Sequence, residues 1–305
     1  MQKNIKKLGC VLALFSCHAL AAISVQDDAG NTVTLAKPAQ RVLTLAPHVT
    51  ELVFAAGGGD RIVGSVGYSD FPPAAKKIPL VGDDRQIDIE RVLAQKPDLI
   101  LVWMHGNTER QIEMLRQLNI PLFQSEPRKL DDIADSIARI GKLLGTEKVA
   151  QHAADGQRAK LAALKATYGR RSPVRVLYQV WDQPLYTLNG KHIVSEAIRL
   201  CGGQNIFANL AVLAPNVTVE SVLQENPEAI LSGDQHNPNG GGVAIWKSYP
   251  TLLAVRNGNL FSLDGDLLSR SGPRMVDGTA ALCEKLELAR QHRMAHPVGS
   301  GKRQP

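Results

Sequence analysis

Three large aromatic residues stand where apolar strands are expected to end. Tyr68 lies on a loop after one strand, Trp103 ends the strand Leu99–Val102, and Trp181 follows the strand Val174–Val180. In open α/β sheets, ligands bind at the carboxyl ends of the strands. Aromatic side chains there could form the walls of a ligand pocket. A place in the core is the alternative for each of them.

Asp266 and Arg270 carry side chains of opposite charge. A ligand pocket needs a few convergent polar groups, and a carboxylate and a guanidinium can supply them. Their spacing of four residues equally fits a simple ion pair along one face of a helix. The spacing alone leaves both interpretations open.

The sequence nominates no catalytic centre. It contains no Gly-x-Ser-x-Gly, no phosphate-binding Walker loop and no His-Glu-x-x-His motif. Four histidines on expected loops lack the spacing of a metal site and are interpreted as surface or hydrogen-bonded residues: His48, His105, His192 and His236. We therefore expect a binding protein that is not an enzyme, with no catalytic residues, no metal ligands and no cofactor.

The first 21 residues have the features of a cleavable secretory signal peptide. Three lysines precede an apolar run at residues 8–18, and Ala19-Leu20-Ala21 offers a small-x-small cleavage site. A lipoprotein signal at Cys17 is the alternative. Loss of the three lysines would lower the formal charge of +6 to +3, and the remaining basic residues are scattered. We expect a periplasmic protein that does not bind nucleic acid.

Cleavage of the signal peptide would remove two of the four cysteines and leave Cys201 and Cys283. An even pair of cysteines in an exported protein predicts a disulfide bond. Closing a loop of about 80 residues would stabilise the fold by roughly 3–5 kcal/mol in the chain-entropy model. Two buried free thiols are the alternative.

Two segments of the chain recur in the same order. Residues 90–101 and 220–231 share glutamate, valine, leucine, proline, isoleucine and leucine at one spacing. Residues 51–62 and 196–206 match more loosely, with a glutamate at the start and a pair of glycines near the end. Because two segments recur in one order, the sequence predicts two similar lobes.

Each recurring segment fits a helix followed by a strand. In the first copy, Val92 and Leu93 are expected to face inward on a short helix that Pro97 ends. Upstream, Thr50 is expected to cap a helix that Gly57 and its neighbours terminate. Alternation of strands and helices predicts α/β lobes with parallel sheets.

A helix is expected between the lobes. The segment is rich in alanine, lysine, glutamine and leucine, and at 1.5 Å per residue it would be roughly 33 Å long. We expect an N-terminal α/β lobe at residues 22–145, the connecting helix at 146–168, a C-terminal α/β lobe at 169–294 and a disordered tail at 295–305.

Nearly the whole chain, from residue 38 to residue 290, resembles a known class of proteins. Residues 41–57, 68–73 and 89–99 are similar to the helical-backbone (class III) periplasmic receptors for metal chelates, which serve ABC importers of cobalamin, haem and ferric siderophores. The finer resemblance is to the cobalamin receptors, and several further segments carry it: Trp103–Gln111, Leu200–Phe207, Asp266 to Arg270, Pro273-Arg274 and the pair Cys201/Cys283.

The resemblance implies two parallel-sheet lobes joined by a single long helix, with cobalamin as a ligand in the cleft between them. It implies that four residues line this cleft: Tyr68, Trp103, Asp266 and Arg270. We add Trp181 from its place after a strand. The resemblance also implies that Glu90 and Glu220 lie on the two lobe tips and pair with arginines of an importer permease, which works with its ATPase. We expect a monomer.

Other interpretations remain open from the sequence. Asp84 and Ala214 stand where cobalamin receptors can carry tryptophan, and Arg85 could meet a carboxylate. Both features would suit a receptor for haem or a ferric siderophore. A sensor without a transport role is a further alternative. Glu90 and Glu220 could also be favoured merely by the dipole of the helix that each one opens.

Overall fold

The computed structural model describes residues 22–83, 86–233 and 241–295. The expectations for the signal peptide at 1–21, for Asp84 and Arg85, for His236 and for the tail beyond Ala295 lie outside these residues. Within the described parts of the chain, no helix is both long enough and apolar enough to cross a membrane.

The N-terminal lobe begins with an antiparallel hairpin of β1 (Ile23–Gln26) and β2 (Thr32–Leu35). A four-stranded parallel sheet follows, with the strand order β4-β3-β5-β6: β3 (Val42–Thr44), β4 (Ile62–Ser65), β5 (Leu99–Trp103) and β6 (Leu122–Ser125). Its helices are α1 (Pro47–Ala55), α2 (Ile89–Ala94), α3 (Glu109–Arg116) and α4 (Leu130–Leu144), with 3-10 turns at Gly59–Arg61 and Pro73–Lys77.

The expected connecting helix is present as α5 (Glu147–Tyr168). It folds back along α4 after Gly145, which adopts a φ of +66° that glycine tolerates. Gly141 of α4 faces Ala150 of α5, and any side chain at Gly141 would overlap the Ala150 methyl group. The long helix is therefore packed tightly against the N-terminal lobe and is not a free linker.

The C-terminal lobe has a second four-stranded parallel sheet, with the strand order β10-β7-β11-β12. Its strands, including a small hairpin of β8 and β9, are β7 (Val174–Gln179), β8 (Trp181–Asp182), β9 (Leu185–Tyr186), β10 (Gly203–Asn205), β11 (Ala229–Ser232) and β12 (Leu260–Ser262). Its helices are α6 (Ile193–Leu200), α7 (Val219–Glu225), α8 (Leu253–Arg256), α9 (Gly265–Leu268) and α10 (Met275–Ala295), with a 3-10 segment at Gly242–Ser248.

The two sheets have the same topology, which confirms the expectation of two similar parallel α/β lobes. Each strand order places the first strand between the second and the third, so β3 corresponds to β7 and β5 corresponds to β11. Gly57 and Gly202, which match in the recurring segments, have φ values of +81° and +71°. Each one ends its helix in a conformation that favours glycine.

One apolar cluster joins the lobes. It runs from the N-terminal sheet through α4 and α5 to the C-terminal sheet and α10, and it includes Leu101, Ile137, Leu161, Val176 and Leu286, all buried. Two smaller clusters each lie within one lobe. Because the largest core is shared across α5, a large rotation of one lobe against the other would expose apolar surface to water.

The predicted disulfide bond is present between Cys201 and Cys283. It ties the end of α6 to the middle of α10, and both residues are fully buried. The α10 helix therefore belongs to the C-terminal core.

Two local expectations are wrong. Helix α1 begins at Pro47 after Ala46, so Thr50 lies within the helix, where its hydroxyl group bonds that of Thr44 at 2.8 Å. Proline suits a first helical position because its φ is already helical and it needs no hydrogen-bond acceptor there. Leu93 is 48 % exposed rather than inward-facing, and Val92 alone enters the core from α2.

Candidate ligand site

A cavity of about 290 Å³ opens between the two lobes. Its walls come from the last residue of β5 and from segments that follow β3 and β4 of one lobe and β12 of the other. They comprise Pro47, His48, Tyr68, Trp103, Asp266, Ser269, Arg270 and Ser271. The carboxyl ends of parallel strands from both sheets therefore meet at one place, as expected for a ligand site in open α/β sheets.

Four of the five residues expected at a ligand site line this cavity: Tyr68, Trp103, Asp266 and Arg270. Trp181 does not belong to the lining. Its indole is more than half exposed, and Nε1 donates a hydrogen bond to the Gln183 carbonyl oxygen at 3.0 Å. The sheet order also shows that Trp181 follows the counterpart of β3, so it is not the counterpart of Trp103.

Tyr68 projects from the loop after β4, and 71 % of its surface is exposed. The turn is closed by a hydrogen bond from the Ser69 backbone nitrogen to the Val66 carbonyl oxygen, and Tyr68 adopts a φ of +64° within it. Such a conformation costs a bulky residue about 1–3 kcal/mol and persists where the surroundings impose it. The strained turn therefore holds an uncovered phenol ring at the cavity.

Trp103 is held from two sides. A side chain at Gly106 would overlap the indole ring, so the glycine allows the loop to lie directly against it. The His48 ring meets the indole edge to face, with 5.5 Å between ring centroids and an angle of 80°. The Trp103 backbone nitrogen also donates to Asn107 Oδ1 at 2.9 Å. The Trp-x-x-Gly-Asn sequence thus fixes one aromatic wall.

His48 forms a neutral part of the cavity floor. Burial lowers the pKa of its imidazole to about 3, and Nε2 has no hydrogen-bond partner among the described residues. The interpretation of His48 as a surface or hydrogen-bonded residue is therefore wrong. Its position directly after Pro47, where a strand turns into a helix, is the sequence signal that could have placed it in the site.

Arg270 is surrounded by carboxylates from both lobes. Its Nη1 lies 2.8 Å from Asp70 Oδ1 and 3.4 Å from Glu51 Oε1, and its Nη2 lies 3.2 Å from Asp266 Oδ1. Asp266 and Arg270 are thus an ion pair and also line the cavity, so the two interpretations of their spacing are compatible. Burial, the largest influence, raises the pKa of Asp70, but the hydrogen bond and charge of Arg270 hold that pKa below its usual value.

Glu51 fixes a second arginine beneath the cavity. Arg274 Nε and Nη2 donate to the two Glu51 oxygens at 3.0 and 2.7 Å, and the Glu51 side chain is only 2 % exposed. The Arg274 guanidinium also stacks over the Phe71 ring at 4.2 Å. Glu51 and Phe71 belong to one lobe and Arg274 to the other, so this ion pair clamps the lobes together. No motif or spacing in the sequence predicted this ion pair.

Glu90 and Glu220 occupy the same place on corresponding helices. Each is the second residue of its helix, α2 or α7, and each carboxylate is exposed. Asp88 and Thr218 cap the two helices by accepting the backbone N–H three residues later. The pKa of Glu220 is lowered by a backbone hydrogen bond and by the Thr218 hydroxyl group. Within the described residues, no cluster of three histidine, cysteine or acidic residues could hold a metal.

Known proteins resemble this chain along most of its length. The family model described as "Periplasmic binding protein" matches residues 42–267. The vitamin B12-binding protein of Vibrio cholerae is 39 % identical over 254 residues, which cover 83 % of this chain and 91 % of that protein. The vitamin B12-binding protein of Yersinia pestis is 36 % identical over 251 residues, covering 82 % and 88 %.

Solved structures of periplasmic binding proteins have the same fold as this chain. The periplasmic vitamin B12 binding protein BtuF of Vibrio cholerae superposes with a TM-score of 0.78 at 38 % identity, covering 83 % of this chain and 99 % of that one. The periplasmic heme binding protein HutB of the same organism shares the fold, with a TM-score of 0.71 at 20 % identity and coverage of 81 % and 99 %. The fold, the cleft and the sequence relatives together show that this chain belongs to the periplasmic binding protein family.

Proposed function

We propose that this protein captures a cobalamin in the cleft between its lobes and delivers it to an ABC importer. Membership of the family makes it a binding protein of the periplasm. The observation that carries the proposal is the convergence of Tyr68 and Trp103 with the Asp266–Arg270 pair in one cavity. The 39 % identity to a vitamin B12-binding protein supports it.

The chemistry of the cavity suits a corrinoid. A corrin is a broad and partly apolar disc whose edge carries amide side chains. The exposed faces of Tyr68 and Trp103 offer apolar contact, and the serine and charged side chains offer hydrogen bonds to amides. The cavity volume lies at the low end for small-molecule sites, so most of a corrinoid would rest above it between the lobes. Trp181 is proposed as a further contact at the rim.

Glu90 and Glu220 are the proposed contacts with the permease. Their equal charge and their equivalent places on the two lobes suit a partner with two-fold symmetry and basic residues. An ATPase that works with this permease completes the proposed importer. The arrangement supports transport rather than a sensor role, since each lobe presents the same exposed carboxylate.

Export and domain organisation complete the proposed role. The chain is exported with residues 1–21 as a cleavable signal peptide and acts as a monomer, without a cofactor and without catalysing a reaction. Cobalamin is its cargo. Its N-terminal lobe comprises residues 22–145, its connecting segment 146–168 and its C-terminal lobe 169–294.

Calorimetric titration of the purified mature protein with cyanocobalamin tests this function. We expect a one-to-one isotherm with a dissociation constant in the nanomolar to low micromolar range. Trp103→Ala, which removes one wall of the cavity, should weaken binding, whereas Trp181→Ala tests the proposed rim contact separately. Absence of heat with cyanocobalamin, together with a shifted Soret band on addition of haem, would transfer the capture role to haem.

A further inference from the structure

The arginine of the cavity has its charge fully compensated. Arg270 is the only cationic residue among the described residues that line the cavity, and it contacts Asp70, Asp266 and Glu51. Its side chain is 11 % exposed. A ligand that carried a carboxylate would normally seek such an arginine, because charge-assisted bonds between guanidinium and carboxylate are strong. Here both terminal nitrogens of the guanidinium already contact carboxylates.

The ion pairs around Arg270 and Arg274 together carry a net negative charge. Arg274 is bound through two nitrogens to Glu51, so three carboxylates face two arginines around the cavity floor. His48 is uncharged and does not change this balance. An anionic ligand edge would therefore meet a net negative charge, whereas a neutral amide edge would meet oriented donors and acceptors without repulsion.

Among the three carboxylates, Asp70 is the one whose replacement would change the charge around Arg270 with the least other effect. It makes the shortest contact with Arg270, at 2.8 Å, and it does so from the opposite lobe. It does not line the cavity, and its side chain is 46 % exposed, so it contributes little to the core. Asp266 lines the cavity and Glu51 is buried with Arg274, so changing either of them would disturb binding or folding as well.

We propose that Asp70 is a specificity-determining residue: by occupying Arg270 it makes the cleft favour chelates with amide edges over chelates with carboxylate edges. The proposal rests on the capture function proposed above and extends it to ligand charge. Chelates with amide edges and chelates with carboxylate edges can share ring size and aromatic contacts. Asp70 would therefore discriminate between them by the charge at the edge.

A matched pair of ligands isolates that property. Cyanocobalamin and a cyanocobalamin monocarboxylate, in which one peripheral amide has been hydrolysed, differ by one charge and almost nothing in shape. The ratio of their dissociation constants is measured for the wild type and for Asp70→Asn, Asp70→Glu and Asp135→Asn. Asp135 on α4 forms an exposed ion pair with Arg158 on α5 at 2.6 Å, outside the cavity lining.

We expect the wild type to prefer the amide, and Asp70→Asn to reduce that preference by about tenfold, the effect of one charge across roughly 10 Å near a protein surface. Asp70→Glu and Asp135→Asn should keep the wild-type ratio. An unchanged ratio in Asp70→Asn would overturn the proposal while leaving the capture function intact. Failure of the wild type to bind cyanocobalamin would refute the capture function and the selectivity proposal together.

Discussion

Glu51 and Glu196 hold matching positions in the two recurring segments, and each carboxylate crosses the boundary between the lobes. Glu51, on α1, accepts a hydrogen bond from Arg274 Nη2 at 2.7 Å. Glu196, on α6, accepts one from the backbone nitrogen of Leu130, the first residue of α4, at 2.8 Å. Helix α1 of the N-terminal lobe therefore contacts the C-terminal lobe, and the corresponding helix α6 of the C-terminal lobe contacts the N-terminal lobe. Together with the shared apolar core, these contacts favour a fixed angle between the lobes.

Replacing Glu51 with alanine should destabilise the protein substantially. The change would leave Arg274 without its buried partner and weaken the support of Arg270, and breaking one side of a buried pair costs about 3–5 kcal/mol. We expect a fall of this size in the free energy of unfolding, measured by urea denaturation. Asp135→Asn, which breaks a more exposed pair, should cost less than about 1 kcal/mol. Equal effects of the two changes would contradict a buried clamp.

Replacing Gly106 with alanine should weaken cyanocobalamin binding without unfolding the protein. The added methyl group would overlap the Trp103 indole and force this ring from its place against His48. Loss of one ordered aromatic contact corresponds to roughly 1–2 kcal/mol, or about tenfold in the dissociation constant.

Gly156→Ala is the matched control for that change. A methyl group at Gly156 of α5 meets open space, and alanine is the better helix former by about 1 kcal/mol. We expect unchanged ligand affinity and a slightly higher melting temperature. Retention of wild-type affinity by Gly106→Ala would show that the position of Trp103 does not matter for binding.

Replacing Cys201 and Cys283 together with serine should lower stability by roughly 3–5 kcal/mol, because the bond closes a loop of 82 residues in the unfolded chain. Denaturant unfolding of the two proteins measures the difference. Added reductant should lower the stability of the wild type towards that of the double variant and should not affect the variant. If reductant leaves the free energy of unfolding of the wild type unchanged, the disulfide bond does not contribute this stability.

Replacing Glu90 and Glu220 together with alanine should abolish uptake and preserve capture. Both carboxylates are exposed, and neither lines the cavity, so calorimetry should give the wild-type affinity for cyanocobalamin. Growth that depends on imported cobalamin should fail in cells with this variant. Restored growth with Glu90→Asp and Glu220→Asp would attribute the effect to charge. Normal uptake by the double alanine variant would remove the proposed docking role.

His48 should make stability depend on pH in the acidic range. Its pKa is about 3 in the folded protein and near 6.5 when unfolded, so the unfolded chain takes up the proton first as the pH falls. The stability present above pH 6.5 is therefore lost between pH 6.5 and about 3, at up to about 1.4 kcal/mol per unit. His48→Gln should show a shallower loss in urea unfolding over this range. Identical slopes in both proteins would contradict the assignment.

The sequence by itself determined the architecture to a large extent. Recurring segments predicted two similar lobes because helix ends, glycine turns and strand runs depend on residues close together in the chain. Gly57 and Gly202 adopt the conformation that this pattern required, and the cysteine pair forms the expected bond. The strand-end positions of Tyr68 and Trp103 placed them at the carboxyl edge of a sheet before the structure brought them to one cavity.

Only the tertiary structure decided which of these edges meet and which charges pair. Arg270 contacts Asp70 and Glu51 across about 200 residues, and no local pattern encodes such a distant pair. His48 looked like a loop residue until packing against Trp103 buried it. Trp181 also follows a strand, but the sheet order gives that strand a different place from β5. Chemical types and local spacing are properties of the sequence, whereas adjacency between strand ends follows from strand order and lobe packing.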